Sequence, residues 1–453
     1  MGSLTTSRAD KADGLAPLVG DWAMAMGAVA EGTTVGCQVM ACRLNSCKPA
    51  SAMAAVSWRD FCLVPAPITQ DDISLTAVRT MKSIIKLLVP EMPKVEQILP
   101  YWQQIDENQW YTNFGPLVIE LERRLSLSFS PDPTQVHTVS MANGTCALQI
   151  ALDALNLRPG ARVLVPGLTF VATATAIIRA GLTPLISDVD SENWLLTPAI
   201  ARDALTDMPF DAVMPVSTYG CPQDVADWDV FSAETGIPVV VDAAGAWGNQ
   251  NIGLTTKVAF SLHATKALGG GEGGFVVSRD AAYAQRMRAL SNFGIDAQGG
   301  GLVSEAGENG KMSEYHAAVA LAALDNWPKV AEARRNLHQH YAKRLLEKMP
   351  QLKLQNKSVD GVYSLMLVLL PPGLRAADVQ VRLKGKDIET RRWYCPPLQN
   401  HQAFQTFTMG PLPIVDRLAE RLLGLLFHLQ LTDACIQRVI DCLAELLNER
   451  HLK

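Results

Sequence analysis

The chain has 453 residues, 48% hydrophobic and 19% charged, which is ordinary globular usage with enough length for two or three domains' worth of core. Forty basic against forty-five acidic residues give a net charge of −5, and no long like-charge run supplies a nucleic-acid footprint or a basic membrane-binding helix. Apolar stretches break well short of the ~18 residues that span a bilayer, and the N-terminus lacks a basic region followed by an apolar core, so the expectation is a cytoplasmic protein with neither nucleic acid nor membrane as partner.

In chain order, residues 1–80 are rich in Ala, Gly, Ser and Cys with weak periodicity, and nothing in them reads as catalytic. Met81 opens MKSIIKLLVPEMPKVEQILPYW, which looks like an enzyme's own N-terminus, so residues 1–80 are expected to be an extension or a start placed too far upstream. The nine cysteines are scattered. Cys37, Cys42 and Cys47 fall at five-residue intervals that suit neither a zinc site nor a disulfide framework, and no metal site is expected.

From about residue 135 short β-branched runs alternate with helical patterns. Runs at His137 to Met141, Arg162 to Pro166, Pro184 to Asp188, Ala212 to Pro215, Pro238 to Asp242 and Val258 to Leu262 predict strands, and Cys146 to Asn156 and Val171 to Ala180 predict helices. Such alternation predicts a mainly parallel sheet with helices on both faces. Met312 to Lys348 reads as a long amphipathic helix, and an apolar strand pattern returns after Gly361 before a helix-rich end. The expected organisation is a large α/β domain over 81–330 and a smaller α+β domain over 331–453.

Ser261 to Ser278, SLHATKALGGGEGGFVVS, contains Gly269, Gly271 and Gly274 at the spacing G-x-G-x-x-G of a dinucleotide-binding turn. That turn needs a strand before it and a helix after it. Here Phe275 to Val277 is a β-type run, so the dinucleotide reading fails and Lys266 becomes the residue of interest. It follows a predicted strand at the carboxyl edge of the sheet, where ligands bind, and a desolvated lysine there can act as an amine nucleophile.

Three other stretches bear on it. In SMANGTCALQIALDAL, Asn143 can cap a helix whose positive end presents the N–H groups of Gly144, Thr145 and Cys146 to a phosphate. In VPGLTFVATATAI, Phe170 can stack on a flat ring, although taken alone the stretch favours a core phenylalanine. In IPVVVDAAGAW, Asp242 ends an apolar strand and needs a cationic partner, which a protonated pyridine nitrogen would supply.

In this order the four stretches resemble the nucleotide-sugar aminotransferases of the DegT/StrS type, enzymes of fold type I that depend on pyridoxal 5'-phosphate. The resemblance runs from about residue 89 to the C-terminus. It implies that Lys266 is the Schiff-base lysine, that Asn143 to Leu148 with Ser261 holds the cofactor phosphate, that Phe170 stacks on the ring and that Asp242 holds its nitrogen. GENGKMSEYHAAVALAAL resembles a Gly-x-Asn segment that reaches the neighbouring subunit's cofactor phosphate, so Asn309 implies a homodimer with shared active sites. Trp110 to Pro116 and Glu389 to Leu398 also match, as substrate-side or packing elements. Two positions depart: Gly245 stands where the family usually has His or Gln, and Gln399 where it has His.

The activity implied is transfer of an amino group from L-glutamate to a nucleotide-linked keto-deoxysugar. WYTNFGP and NGKMSE resemble the branch acting at C4 of dTDP-4-keto-6-deoxyglucose more than a C3 enzyme. The rivals are a non-catalytic pyridoxal phosphate binding or regulatory protein, which has no reason to keep both Asp242 and Lys266, and a Rossmann oxidoreductase, which needs its glycine fingerprint elsewhere.

Overall fold

A computed structural model describes residues 84–296, 300–303, 305–408 and 410–449. The extension over 1–80 and the suspected start at Met81 lie outside the described residues.

Two helices lead in, α1 (Val95–Asn108) and α2 (Pro116–Leu127). Pro116 at the first helical position has no N–H to leave unpaired. The next two donors, Leu117 and Val118 N–H, reach the Glu314 carboxylate at 2.8 and 3.0 Å, nearly two hundred residues away. The alternating region then gives β1 (His137–Met141), α3 (Gly144–Asp153), β2 (Arg162–Pro166), α4 (Val171–Arg179), β3 (Thr183–Ser187), α5 (Pro198–Asp207), β4 (Ala212–Val213), α6 (Val225–Thr235), β5 (Val240–Asp242), β6 (Lys257–Ser261), β7 (Gly274–Ser278) and α7 (Ala281–Leu290).

β1, β7, β6 and β5 form one set of paired strands and β3, β2 and β4 another. Parallel bridges Val213 to Val239 and Val216 to Asp242 join them, so the order reads β3-β2-β4-β5-β6-β7-β1. β2 runs parallel to β3 and β4, and β5 to β6, as the alternation predicts, whereas β7 is antiparallel to both β6 and β1. The reason is local. A parallel return requires a crossover of a dozen or more residues, usually a helix, and residues 262–273 contain no helix, so β7 folds back beside β6. Alternate residues of the strands enter two different cores: Val163, Val165, Val240 and Ala259 face one, Leu164, Val241, Val258 and Phe260 the other. Each fully buried Val, Leu or Phe among them contributes about 1.5–3 kcal/mol, and the shared direction of β2 to β6 places their carboxyl ends on one edge of the sheet.

α8 (Glu314–Lys348) begins where Ser313 Oγ accepts the His316 N–H. It crosses the expected boundary at residue 330 without a break. Its first half packs Ala317 to Ala323 into the sheet's core, and its second half packs Tyr341 and Leu345 into a separate core. That third core also holds Ile85, β8 (Met366–Leu369), α9 (Ala376–Lys384) and α11 (Asp433–Asn448), with β8 antiparallel to β9 (Leu422–Leu425). The segment around Leu398, Phe404 and Leu412, and α10 (Pro413–Arg421), return to the large domain's core. Residues 331–449 therefore carry their own core and one wall of the neighbouring one.

Candidate active site

Asp242 ends β5 and is only 5% exposed. Its Oδ2 accepts the Thr173 hydroxyl at 2.8 Å and its Oδ1 the Ala244 N–H at 3.1 Å. Burial raises its pKa above the ordinary carboxylate value, opposed by those two hydrogen bonds and by the charge of Lys266. Thr173 lies in the first turn of α4 and 2.9 Å from the Thr169 hydroxyl. A hydroxyl has one proton to give; Thr173 gives its own to the carboxylate, so Thr169 donates to Thr173.

Lys266 sits in the loop between β6 and β7, half-buried, with burial lowering its pKa and Asp242 pulling the other way. The loop is knit to itself by Leu262 N–H to Gly273 O at 2.8 Å, Ala264 N–H to Gly271 O at 2.8 Å and Lys266 N–H to His263 O at 2.9 Å. His263 Nδ1 accepts the Thr265 N–H at 3.3 Å and lies 2.8 Å from the Thr265 hydroxyl, which leaves Nε2 to face Glu272 at 3.7 Å. The glycine pattern has a packing cause. Gly271 takes φ +84°, a left-handed conformation that favours glycine, and a Cβ at Gly274 would stand 2.7 Å from the Asn143 carbonyl.

That close approach brings the helix α3 to the lysine loop. Asn143 is the N-cap, its Oδ1 accepting the Cys146 N–H at 2.9 Å, so of the three expected donors Cys146 is already engaged. Gly144 and Thr145 N–H have no acceptor among the described residues and point out of the helix's positive end. A Cβ at Gly144 would stand 2.9 Å from Ser261 Cβ. Ser261 Oγ accepts the His263 N–H at 3.2 Å and keeps its own proton to donate. Two free N–H groups, a hydroxyl and a helix dipole make an anion seat.

Phe170, the residue before α4, is 55% exposed, with its ring 6.1 Å from that of Tyr394. Tyr394 stacks on Tyr219 at 4.9 Å and 7°, and Asp242's charge raises the Tyr394 pKa further beyond what burial does. Tyr219 is held in a left-handed conformation, φ +58°, and its hydroxyl donates to the Trp393 carbonyl at 2.9 Å. Thr173 and Tyr219 carry no signal of their own in the sequence, and Tyr394 is marked there only as part of Glu389 to Leu398. A buried strand-end carboxylate signals that donors must surround it, but their identity depends on α4 folding over β5.

Gly245 has open space where a side chain would begin, the nearest atom to a Cβ being Gly220 N at 3.9 Å. Trp247 does not fill it: that ring is buried edge-on against Phe260 and Phe275. Gln399 donates to Asp416 at 2.9 Å. Asn309 is exposed, on a strip where Gly310 O accepts the Ala142 N–H at 2.8 Å and the Cys146 thiol donates to Glu308 at 3.2 Å. The strip thus borders the start of α3. Of the WYTNFGP stretch, Trp110 and Tyr111 are exposed, and Tyr111 stacks on Tyr315 at 6.4 Å.

The sheet edge therefore gathers a desolvated amine, a buried carboxylate, an anion seat and an open aromatic face. A phosphorylated pyridine aldehyde would suit all four: Lys266 would hold the aldehyde, Asp242 the ring nitrogen, Gly144, Thr145 and Ser261 the phosphate, and Phe170 would cover the ring. Among the described residues no cluster of His, Cys, Asp or Glu could hold a metal ion, and no helix is long and apolar enough to cross a membrane.

The profile of the DegT/DnrJ/EryC1/StrS aminotransferase family matches residues 94–444. The dTDP-4-amino-4,6-dideoxy-D-glucose transaminase of Escherichia coli is 28% identical over 372 residues, 79% of this chain and 98% of that one. The UDP-2-acetamido-2-deoxy-3-oxo-D-glucuronate aminotransferase of Pseudomonas aeruginosa is 30% identical over 338 residues, 73% of this chain and 90% of that one. The solved structure of DesI, determined in the presence of its TDP-sugar product, superposes with a TM-score of 0.72 at 30% identity, covering 81% of this chain and 95% of that one. The chain belongs to the DegT/DnrJ/EryC1/StrS family and is a pyridoxal phosphate dependent nucleotide-sugar aminotransferase of fold type I.

Proposed function

We propose that the chain moves an amino group from L-glutamate to C4 of dTDP-4-keto-6-deoxyglucose, acting as a cytoplasmic homodimer. The observation that carries the chemistry is a half-buried Lys266 within the electrostatic reach of a buried Asp242, close to the open N-terminus of α3. Lys266 carries the cofactor on its amine and, once the donor's amine displaces it, moves the proton at the donor's α-carbon. Its lowered pKa suits a base that must be neutral for that step. The bound cofactor supplies an electron sink for the charge left on that carbon. Asp242 stays anionic to hold the ring nitrogen's proton, kept so by the Thr173 hydroxyl and the Ala244 N–H. Gly144, Thr145 and Ser261 anchor the phosphate, Phe170 covers the ring, and Asn309 serves the partner subunit's phosphate.

The choice of C4 is supported by the likeness of WYTNFGP and NGKMSE to that branch and by the Escherichia coli relative. A second reading, amination at C3, is favoured by the Pseudomonas relative, whose named substrate carries a 3-oxo group. A product-identified assay decides between them. With L-glutamate and a panel of dTDP-, UDP- and GDP-linked ketosugars, turnover should be highest on the dTDP 4-ketosugar, and a 3-amino product as the main one would overturn the C4 assignment.

A further inference from the structure

Cys146 is the third residue of α3, and with its N–H taken by Asn143 its side chain is the part left to act. It turns toward the strip 308–310: Sγ lies 3.2 Å from Glu308 Oε1 and 3.9 Å from the Gly310 carbonyl. Burial, and after it the Glu308 carboxylate, raises the thiol's pKa, so the sulfur keeps its proton and donates it. Among the described residues this thiol is the sole hydrogen-bond donor to the Glu308 side chain.

The backbone of the strip is held elsewhere. Glu308 and Gly310 N–H donate to the Leu290 and Ser291 carbonyls at the end of α7, both at 2.9 Å, and Gly310 O accepts from Ala142, which precedes α3. Among the described residues, therefore, only the thiol hydrogen-bonds the strip to α3 itself. Glycine at 310 lets the two meet, because a Cβ there would stand 2.8 Å from Cys146 Sγ and 2.7 Å from Ile150 Cδ1. Between the two held residues Asn309 is exposed, and its amide side chain has no hydrogen-bond partner among the described residues. It is a polar group presented outward from a fixed base.

We propose that Cys146 is a positioning residue for cofactor retention: by holding Glu308 against α3 it sets the place from which Asn309 reaches the partner subunit's cofactor phosphate. The inference rests on the reading of Asn309 as acting across the interface. An amide carried on a loop makes a hydrogen bond of fixed length only if the loop is tied to something rigid. α3 is such a body, with Ala147, Leu148, Ile150 and Ala151 buried in the large domain's core. Its first turn also presents the free Gly144 and Thr145 N–H groups, so one turn serves the subunit's own phosphate through backbone and the partner's through a side chain.

The test follows cofactor release from loaded hybrid dimers by the visible absorbance of the lysine-linked cofactor. Where one subunit carries Lys266→Ala, only the other subunit's site gives that absorbance, and the Asn309 serving that site belongs to the Lys266→Ala subunit. Adding Cys146→Ala to the Lys266→Ala subunit should speed release about three- to tenfold, the size of one lost hydrogen bond. Adding it instead to the lysine-bearing subunit should leave release unchanged, because the strip it loosens serves the silent site. Cys146→Ser keeps a donor and should recover most of the retention. Acceleration that follows the lysine-bearing subunit, no acceleration in either arrangement, or release from Cys146→Ser as fast as from Cys146→Ala would overturn the proposal. Asn309→Ala in the Lys266→Ala subunit tests the reading beneath it. Unchanged release there refutes the shared site and the proposal with it, whereas fast release there with Cys146→Ala inert refutes the proposal alone.

Discussion

Thr173→Val removes one hydroxyl and keeps the β-branched shape. In the folded protein that hydroxyl donates to Asp242 at 2.8 Å, and the carboxylate's other donor among the described residues is Ala244 N–H. A hydrogen bond to a charged group contributes ~1.5–3 kcal/mol, or about one to two pKa units. Burial already raises the Asp242 carboxyl above 3.8, so the folded state holds its proton more tightly than the unfolded chain does. Its cost to stability is absent below about pH 3.8, grows as pH rises through the folded pKa and is complete above it. Thr173→Val raises that folded pKa further. Because the bond from Thr169 goes with the Thr173 hydroxyl, the cofactor-free variant should lose ~2–4.5 kcal/mol at pH 8 and only ~1–3 kcal/mol near pH 4, where both lost bonds are neutral. Thr169→Val breaks a bond between neutral hydroxyls and should cost ~0.5–1.5 kcal/mol at both. Urea unfolding followed by circular dichroism across this range measures both variants. An equal Thr173→Val deficit at pH 4 and pH 8 would refute the role given to this hydroxyl.

Lys266→Ala should abolish turnover and the borohydride-sensitive visible absorbance while leaving cofactor affinity measurable through the phosphate and ring contacts; retained activity would remove the lysine from the chemistry. Asp242→Asn should keep the covalent link but slow the half-reaction with L-glutamate by orders of magnitude, because a neutral amide cannot hold the ring nitrogen's charge; stopped-flow absorbance reads the rate. Gly245→Gln should fold normally, since its Cβ meets only Gly220 N at 3.9 Å, and by the resemblance to the family, whose His or Gln here would stand beside the cofactor's phenolic oxygen, the new side chain should add a donor toward that oxygen. The pH midpoint of the visible absorbance should then fall by up to ~1 unit, and an unchanged or higher midpoint in the folded variant counts against it. Asn309→Ala should weaken cofactor retention, and mixing it with Lys266→Ala should restore activity through hybrid dimers carrying one intact site; no recovery after demonstrated subunit exchange would deny Asn309 its role across the interface.

The sequence by itself determined the alternation of strands and helices, the sheet edge as the place of the site, and the family through Asn143 to Leu148, Phe170, Asp242 and the lysine stretch. These are legible because period, capping and strand-end position are local properties, read within a dozen residues. The antiparallel β7 was readable in part, since Phe275 to Val277 follows the glycines as a strand, but its pairing between β6 and β1 was not. The Thr169–Thr173–Asp242 chain and the Tyr219–Tyr394 stack were decided only by tertiary structure. Each joins residues that are distant in sequence or that share a turn only once a helix has formed. Donor counts, desolvation and stacking depend on what the fold brings within a few ångströms, and residue spacing carries no record of that. The passage of α8 through residue 330 has the same origin: one helix buries its first half in one core and its second in another, so the chain's periodicity continues where the packing changes.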